Sequence, residues 1–219
     1  RAAPRRSSRW AYAAGLLSLL VLRSFFYRHI GSGVNWTPAI DLVAITLPFR
    51  SDKVTLMLVF SLLSFALSLG ALYSWLLLIS AVNHHVPDSE PWQKLVRLHL
   101  GWLERLPGAL RLFLPLIALA SLWGLASPSL EQLGLIPACA SGTHLWMQAG
   151  VLGIAALMVW KYFLIGLLGL HLLNTHVYLG NVSFFAFASL TAHNLFIPVH
   201  WLPLRLGQVD FAPILGIAL

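Results

Sequence analysis

Residues 54–82 read VTLMLVFSLLSFALSLGALYSWLLLISAV, and this stretch decides the fold class. It contains no Asp, Glu, Lys, Arg or His, and no proline. As an α-helix it would be about 43 Å long, whereas the hydrocarbon core of a bilayer is about 30 Å thick. We therefore predict a tilted membrane-spanning helix. Small residues at helical spacing favour a close approach by another helix over the alternative of a polar pathway; they are Ser61, Ser64, Ser68, Gly70 and Ser74.

The composition places the whole chain in the same class. Its 219 residues are 58% hydrophobic and 10% charged, with a mean hydropathy of +0.80. Soluble domains carry about 25% charged residues, so we predict an all-α integral membrane protein with about 4–6 transmembrane helices. The net charge of +7 comes from cations at the ends of apolar stretches. They indicate topology and headgroup contacts rather than nucleic acid binding. A single cysteine, Cys139, excludes an internal disulfide and a thiolate metal cage.

Two segments precede residues 54–82. The tail with Arg1, Arg5, Arg6 and Arg9 favours a cytoplasmic N-terminus. Residues 10–22 are apolar and are either a first spanning helix or an interfacial helix; the sequence leaves both open. Residues 38–49 are too short to span alone as a helix, so we expect a tilted or re-entrant helical segment there.

Residues 91–106 are predicted to form an amphipathic helix lying flat on the membrane. The expected apolar face is Trp92, Leu95, Val96, His99, Trp102, Leu103 and Leu106, and the opposite face is Lys94, Arg97, Glu104 and Arg105. Lipid headgroups are the expected partners of Trp92, Lys94, Arg97, Trp102 and Arg105.

Three more apolar segments follow. Residues 110–126 are predicted to span, kinked or begun at Pro115. Residues 127–144 contain no Lys or Arg, which places that loop outside and residues 83–111 inside. Residues 145–178 are predicted to form one glycine-rich span, and residues 183–202 an apolar segment broken at Pro198 and Pro203.

A short motif occurs twice. The copy at residues 209–213, VDFAP, leads into apolar sequence, and residues 34–38 read VNWTP. Asp or Asn caps a helix start, and proline suits the first helical turn, so both copies are predicted to begin helices. The order of span, interfacial segment, proline turn and span predicts a diverged internal repeat. The predicted divisions are a first region at 1–53 and repeats at 54–135 and 136–219.

These residues resemble the YggT family of small repeat-containing membrane proteins, whose hallmark is a Gly-Gly-Ile-Asp-Phe-Ser-Pro-like turn. Gly207, Asp210, Phe211 and Pro213 match it, and Gln208 and Ala212 depart from it. The counterpart copies have Asn35 and Pro38 near the start and no acid after Leu106. The resemblance implies a bacterial inner (cytoplasmic or photosynthetic) membrane, no catalysis, and a role in membrane organisation or complex assembly.

Ionisable groups within apolar segments are functional candidates. Lys161 either pairs with an acid such as Asp41 or Asp210, or extends to the interface. Four histidines could act as an axial ligand to haem or (bacterio)chlorophyll; they are His171, His176, His193 and His200. Hydrogen bonding or an interfacial position is the favoured interpretation of these histidines.

Motifs for catalysis are missing: the sequence has no glycine-rich phosphate loop, no His-Glu-x-x-His and no Cys-x-x-Cys. We therefore expect a non-enzymatic protein without a metal centre and with bound lipids. The first hypothesis is a scaffold or assembly subunit bound to other membrane subunits. The alternatives are a pigment- or haem-binding accessory subunit and a channel lined by Lys161 and Asp41.

Overall fold

A computed structural model describes residues 9–87, 89–137, 139, 141–177 and 182–197, together with residues 205–206 and 209–210. It confirms an all-α membrane protein. Among the described residues, four helical stretches are long and apolar enough to cross a membrane: Trp10–Val34, Val54–Val82, Gly108–Gln132 and Gly142–His176. Residues 10–22 therefore belong to a helix with the length of a span.

The helices are α1 (Arg9–Val34), α2 (Val54–Val82), α3 (Pro91–Leu100), α4 (Gly108–Gln132), α5 (Gly142–Ala156), α6 (Val159–His176) and α7 (Ser183–Phe196). A 3₁₀ helix, Gly101–Arg105, follows α3. The described strands form short antiparallel pairs, β1 (Ala39–Asp41) with β2 (Thr46–Pro48), and β3 (Arg205–Leu206) with β4 (Val209–Asp210).

The chain forms two compact units. Unit one contains residues 1–69 and 121–152, and unit two contains residues 70–120 and 153–219. Each is described below by itself.

In unit one, Asn35 ends a helix rather than beginning one. Its φ is +50°, and the N–H of the next residue, Trp36, donates to the carbonyl of Gly31 at 3.1 Å. A left-handed residue with this six-to-one bond is a helix C-terminal cap, and Asn tolerates that conformation. The predicted helix start at Asn35 and Pro38 is therefore wrong, since Pro38 is followed by strand β1.

Residues 38–49 form a hairpin, so the predicted tilted or re-entrant helix is also wrong. Ile40 pairs with Leu47, and both are buried while their neighbours along each strand are exposed. Burial that alternates with period two is a property of a strand. At the tip, Val43 has φ +70°, and the Ala44 N–H donates to the Leu42 carbonyl at 2.8 Å. This is a γ-turn of the strained type, unusual for a β-branched residue.

Aromatic side chains hold the hairpin in unit one. The Phe60 ring of α2 lies 5.4 Å from that of Phe49, which follows β2, and 5.6 Å from that of Tyr27 in α1. The ring of Trp36 is 5.7 Å from that of Tyr27. Edge-on pairs at these distances add to the energy of burial. In the same unit the buried Ser61 hydroxyl donates to the Leu20 carbonyl at 2.9 Å, which agrees with the predicted packing role of Ser61.

The segment predicted as one span at 145–178 consists of two helices. Between α5 and α6 the N–H groups of Leu157 and Met158 donate three residues back, at 3.0 Å each. In unit two, two indoles join α2 and α6 across this break. Trp75 donates to the Val159 carbonyl at 3.0 Å, and Trp160 donates to the Ser74 hydroxyl at 2.7 Å. Residues 157 and 158, where the helix is interrupted, are neither proline nor glycine, so the sequence does not indicate a break there.

Close helix packing in unit two requires Gly153. A Cβ at this position of α5 would lie 2.9 Å from the Leu116 carbonyl oxygen and 3.2 Å from the Ala120 Cβ of α4. We expect Gly153→Ala to lower the free energy of unfolding by about 1–3 kcal/mol, the usual cost of overpacking. Unfolding in SDS, followed by circular dichroism, measures this change.

The control is Gly150→Ala on the same helix, where an added Cβ meets nothing within 4 Å. It is expected to be neutral or to stabilise by up to about 1 kcal/mol, because alanine favours helix more than glycine does. Equal losses for the two variants would show that α4 and α5 do not approach each other at Gly153.

The second copy of the repeated motif begins in the C-terminal hairpin. Asp210 pairs with Arg205 in a β-ladder, so Asp210 itself is in a strand. Gly207, Phe211 and Pro213 lie outside the described residues, as does the predicted last helix. The predicted helix cap at Asp210 therefore stays a prediction.

Candidate functional site

The candidate site is the segment from Pro91 to Arg105, which we call the surface segment; it comprises α3 and the 3₁₀ helix. Pro91 occupies the first turn of α3, where a missing N–H costs nothing. Gly101 ends α3 with φ +54° and donates its N–H to the Arg97 carbonyl. A positive φ is strained for residues with a Cβ, so glycine suits this turn of the chain into the 3₁₀ helix. In unit two the segment follows the end of α2 and precedes the start of α4.

The inward face of the surface segment contains both polar and apolar side chains. Gln93, Val96 and Leu100 are buried, and Val96 and Leu100 pack against Leu77 of α2. Three apolar side chains of the surface segment point away from the protein. Leu95 is 44% exposed, Leu98 78% and Trp102 70%. The predicted apolar face is therefore divided in the structure, since Val96 is buried whereas Leu95 and Trp102 are exposed.

A charge network fixes the end of the segment to α2 and α4. The Glu104 carboxylate accepts from the Ser80 hydroxyl and from Arg111 at 3.2 Å. Arg111 also donates to the Ser80 hydroxyl at 2.6 Å and to the Leu106 carbonyl at 2.8 Å. Arg97 lies 3.5 Å from the same carboxylate and donates to the Val86 carbonyl at 3.0 Å. Charge-assisted bonds of this kind are stronger than neutral ones.

A buried amide network joins the same end of unit two to α7. Asn83 donates to the Thr191 hydroxyl at 2.8 Å and accepts from Asn194 at 2.9 Å. Thr191 donates its own hydrogen to the Phe187 carbonyl at 2.8 Å, so it must accept from Asn83, and this fixes the orientation of the Asn83 amide. Gln93 lies beside the network with its Nε2 at 3.5 Å from the Asn83 carbonyl. Within the part of the chain that the structure describes, Gln93 Oε1 has no partner.

The five predicted headgroup contacts divide into two groups. Lys94, Trp102 and Arg105 are exposed. Arg97 is engaged in the charge network, and Trp92 donates to the Ser183 hydroxyl at 3.2 Å and contacts the ring of Phe184 in α7. Only the first group faces away from the protein.

Lys161 and Asp41, the predicted intramembrane charges, are both exposed. Lys161 is exposed in the first turn of α6. Asp41 is exposed at the end of β1, and its carboxylate accepts the Val43 N–H at 2.9 Å, which is the bond of an Asx turn. The Asp41 carboxylate therefore shapes the hairpin tip.

The four histidines are not gathered into one site by the described residues. His171 is half-buried in α6, whereas His176 and His193 are exposed on α6 and α7; His200 lies outside the described residues. His176 Nδ1 is 3.0 Å from the Leu172 carbonyl oxygen, which leaves Nε2 facing outward. Over the described ranges, no group of three or more His, Cys, Asp or Glu side chains is placed to hold a metal ion.

Cys139 lies between α4 and α5, outside both helices, and its N–H donates to the Glu131 carboxylate at 2.9 Å. Partial burial, a hydrogen bond to Glu131 and the negative charge of Glu131 all raise the pKa of the thiol. A raised pKa keeps the thiol protonated at neutral pH, and alkylation requires the thiolate. We expect Glu131→Gln to lower the pKa of Cys139 and to speed alkylation by iodoacetamide severalfold at pH 7.5.

The matched control for Glu131 is Asp52→Asn, which removes an exposed carboxylate paired with Arg50 and should leave the alkylation rate unchanged. A pH series of rates locates the thiol pKa in each variant. Unchanged rates in Glu131→Gln across that series would mean that the carboxylate does not control the thiol.

Sequence reasoning missed Ser80, Asn83 and Arg111. Each is a polar side chain at the end of a long apolar helix. Their position along the chain could have identified them. Since α2 ends at Val82 and α4 begins at Gly108, polar side chains near these two residues meet at the same end of both helices.

Compared with known proteins, the chain matches no family model, no curated protein and no solved structure. The resemblance to the YggT family consequently depends on the motif residues alone, and a functional argument has to start from the surface segment and its two networks.

Proposed function

We propose that this chain is a non-enzymatic scaffold of a larger membrane protein complex, acting as an assembly or accessory subunit. The observation that carries the proposal is the use of polar groups around the surface segment. Glu104, Arg111 and Ser80 bond to one another, and Asn83 bonds to Thr191 and Asn194. These polar groups bond one helix to another instead of pointing together into a substrate site.

The effect of these bonds is to fix the surface segment. The charge network ties its 3₁₀ end to α2 and α4, and Trp92 ties its beginning to α7. A segment held at both ends loses little conformational entropy when something binds to it. A rigid platform at the end of several membrane helices suits a subunit that organises its neighbours.

The motif at Asp210, Phe211 and Pro213 supports the same proposal through its resemblance to YggT proteins. On that basis we also propose a bacterial inner membrane, cytoplasmic or photosynthetic, and a cytoplasmic N-terminus. The positive-inside rule then places the surface segment on the cytoplasmic side. Reporter fusions after residues 8, 90 and 140 test this arrangement, which requires cytoplasmic signals for the first two fusions and an external signal for the third.

The test of the scaffold is purification of the full chain through a tag in mild detergent, followed by mass spectrometry. We expect one or more membrane subunits in stoichiometric amount, and we expect a tag on such a subunit to recover this chain in return. An unrelated tagged membrane protein of similar size is the control. Migration as a lone monomer in native gels, with nothing stoichiometric attached, would contradict the scaffold.

A visible absorption spectrum of the same sample tests the cofactor alternative. A Soret or far-red band that disappears in His171→Ala or His176→Ala would favour a haem- or pigment-binding subunit. Ion flux in liposomes tests the channel alternative, which requires Lys161→Gln to change the flux.

A further inference from the structure

The surface segment reaches the membrane boundary by chain continuity. It lies between Val82, where α2 ends, and Gly108, where α4 begins, and both helices are long and apolar enough to span. The ends of spanning helices lie at the headgroup region. A segment tied to both ends by hydrogen bonds therefore has the bilayer surface within reach.

The outward face of the surface segment is apolar at its centre. Leu98 is 78% exposed and Trp102 is 70% exposed, with Leu95 beside them. Apolar side chains in this number on a short rigid segment are unfavourable in water and mark a contact surface. Leu and Trp next to basic residues are typical of helices that lie in the interface of a bilayer.

The charge of this face has a single sign. Its exposed ionisable side chains are Lys94, His99 and Arg105. Glu104 is the only acid between residues 91 and 105, and it is turned inward against Ser80 and Arg111. Folding thus removes the one negative charge from the outer surface and leaves the cations there.

We propose that the outward face of the surface segment, formed by Leu95, Leu98 and Trp102 between Lys94 and Arg105, binds anionic lipid at the bilayer surface. The apolar side chains enter the acyl boundary and the two cations attract acidic headgroups. Each Lys or Arg near an anionic surface contributes about fivefold to binding. Glu104 acts indirectly, because its internal pairing keeps a carboxylate away from the headgroups.

The test uses the full chain with Leu98→Cys in a Cys139→Ser background, labelled with the fluorophore NBD. The protein is reconstituted in phosphatidylcholine vesicles containing one quarter phosphatidylglycerol. A small, equal fraction of spin-labelled phosphatidylglycerol or spin-labelled phosphatidylcholine is then added as quencher. We expect both lipids to quench the label, and the anionic one to quench it severalfold more efficiently.

Lys94→Gln with Arg105→Gln is expected to abolish the preference for the anionic quencher while quenching itself persists. Arg28→Gln with Lys53→Gln is the charge-matched control, since it also removes two exposed cations, both in unit one. Circular dichroism and gel filtration verify the fold of each variant, and a label at Leu95→Cys provides a second reporter on the same face.

Two results would overturn the proposal. A label that neither lipid quenches would mean that water or a protein partner, rather than lipid, covers this face; a water-soluble quencher separates those two cases. Equal quenching by the two lipids in the unaltered segment would mean that the cations do not select anionic headgroups. Neither result bears on whether stoichiometric subunits co-purify, so the scaffold is tested separately.

Discussion

Asn83→Ala is expected to lower the free energy of unfolding by about 2–4 kcal/mol. The substitution removes two bonds in a site where Asn83 is 0% and Thr191 is 1% exposed. Each neutral bond contributes about 0.5–1.5 kcal/mol, and each buried group left unpaired costs about 1–3 kcal/mol. The Asn194 amide loses its acceptor, and the Thr191 hydroxyl loses its donor while it keeps its own bond to the Phe187 carbonyl. Unfolding in SDS or by heat, in detergent micelles, measures the change.

The matched control for Asn83 is Asn174→Ala. The Asn174 amide also donates between helices, to the Ser189 hydroxyl at 2.9 Å, but both residues are only half-buried. Its expected cost is about 1 kcal/mol, the usual value for one such bond. If Asn83→Ala cost no more than Asn174→Ala, the amide network would not be a tertiary anchor.

Replacing Gln93, which lies in the same region, is expected to have the opposite effect on stability. Its side chain is 0% exposed, and its one bond to a described residue, the Asn83 carbonyl, is long at 3.5 Å. Replacing an unsatisfied buried amide by an apolar side chain of similar size is often neutral or stabilising. Gln93→Leu should therefore leave stability unchanged or raise it, in the same assay that shows the loss for Asn83→Ala.

Glu104→Gln is expected to lower the free energy of unfolding by about 2–3 kcal/mol. Removing one partner of a buried ion pair costs about 3–5 kcal/mol, because the other charge stays buried without compensation. Here the side chains are 12% exposed for Arg111 and 22% for Glu104, so some hydration remains and the cost is smaller. Because Glu104 is paired with a side chain from α4, the loss should extend to the whole of unit two.

Asp52→Asn is the matched control, since it breaks an ion pair at 3.1 Å with Arg50 whose side chains are 72% and 54% exposed. Exposed pairs contribute about 0–1 kcal/mol. Similar losses for Glu104→Gln and Asp52→Asn would show that the charge network is solvated and has no special role in fixing the surface segment.

The long apolar helices could be predicted from the sequence because a bilayer imposes their length. The predicted bounds of α2 agree with the structure at Val54 and Val82. The hairpin at residues 38–49 was missed because a run of apolar residues is compatible with helix or strand. Alternation of buried and exposed positions at Ile40 and Leu47 distinguishes the two, and that pattern is apparent only when burial is known.

The orientation of the surface segment could not be predicted for a different reason. In water an apolar helix face packs against protein, but near a bilayer both protein and lipid accept apolar side chains. The sequence therefore does not say whether Val96 or Leu98 is buried. In the structure, Glu104 bonds to Ser80 and Arg111, and Val96 is buried whereas Leu98 is exposed. The exposed side, with Leu98 and Trp102, is the face for which we propose lipid binding.

The amide network also has a consequence for biogenesis. Asn83 is 108 residues away from Thr191 and 111 residues away from Asn194 along the chain. At about 5–20 residues per second, the ribosome delivers α7 roughly 5–20 s after Asn83 has been made. During that interval the end of α2 has an amide without its partners, so nascent chains stopped before residue 183 should crosslink to insertion factors at position 83. Chains released after residue 197 should lose that crosslink as α7 takes its place.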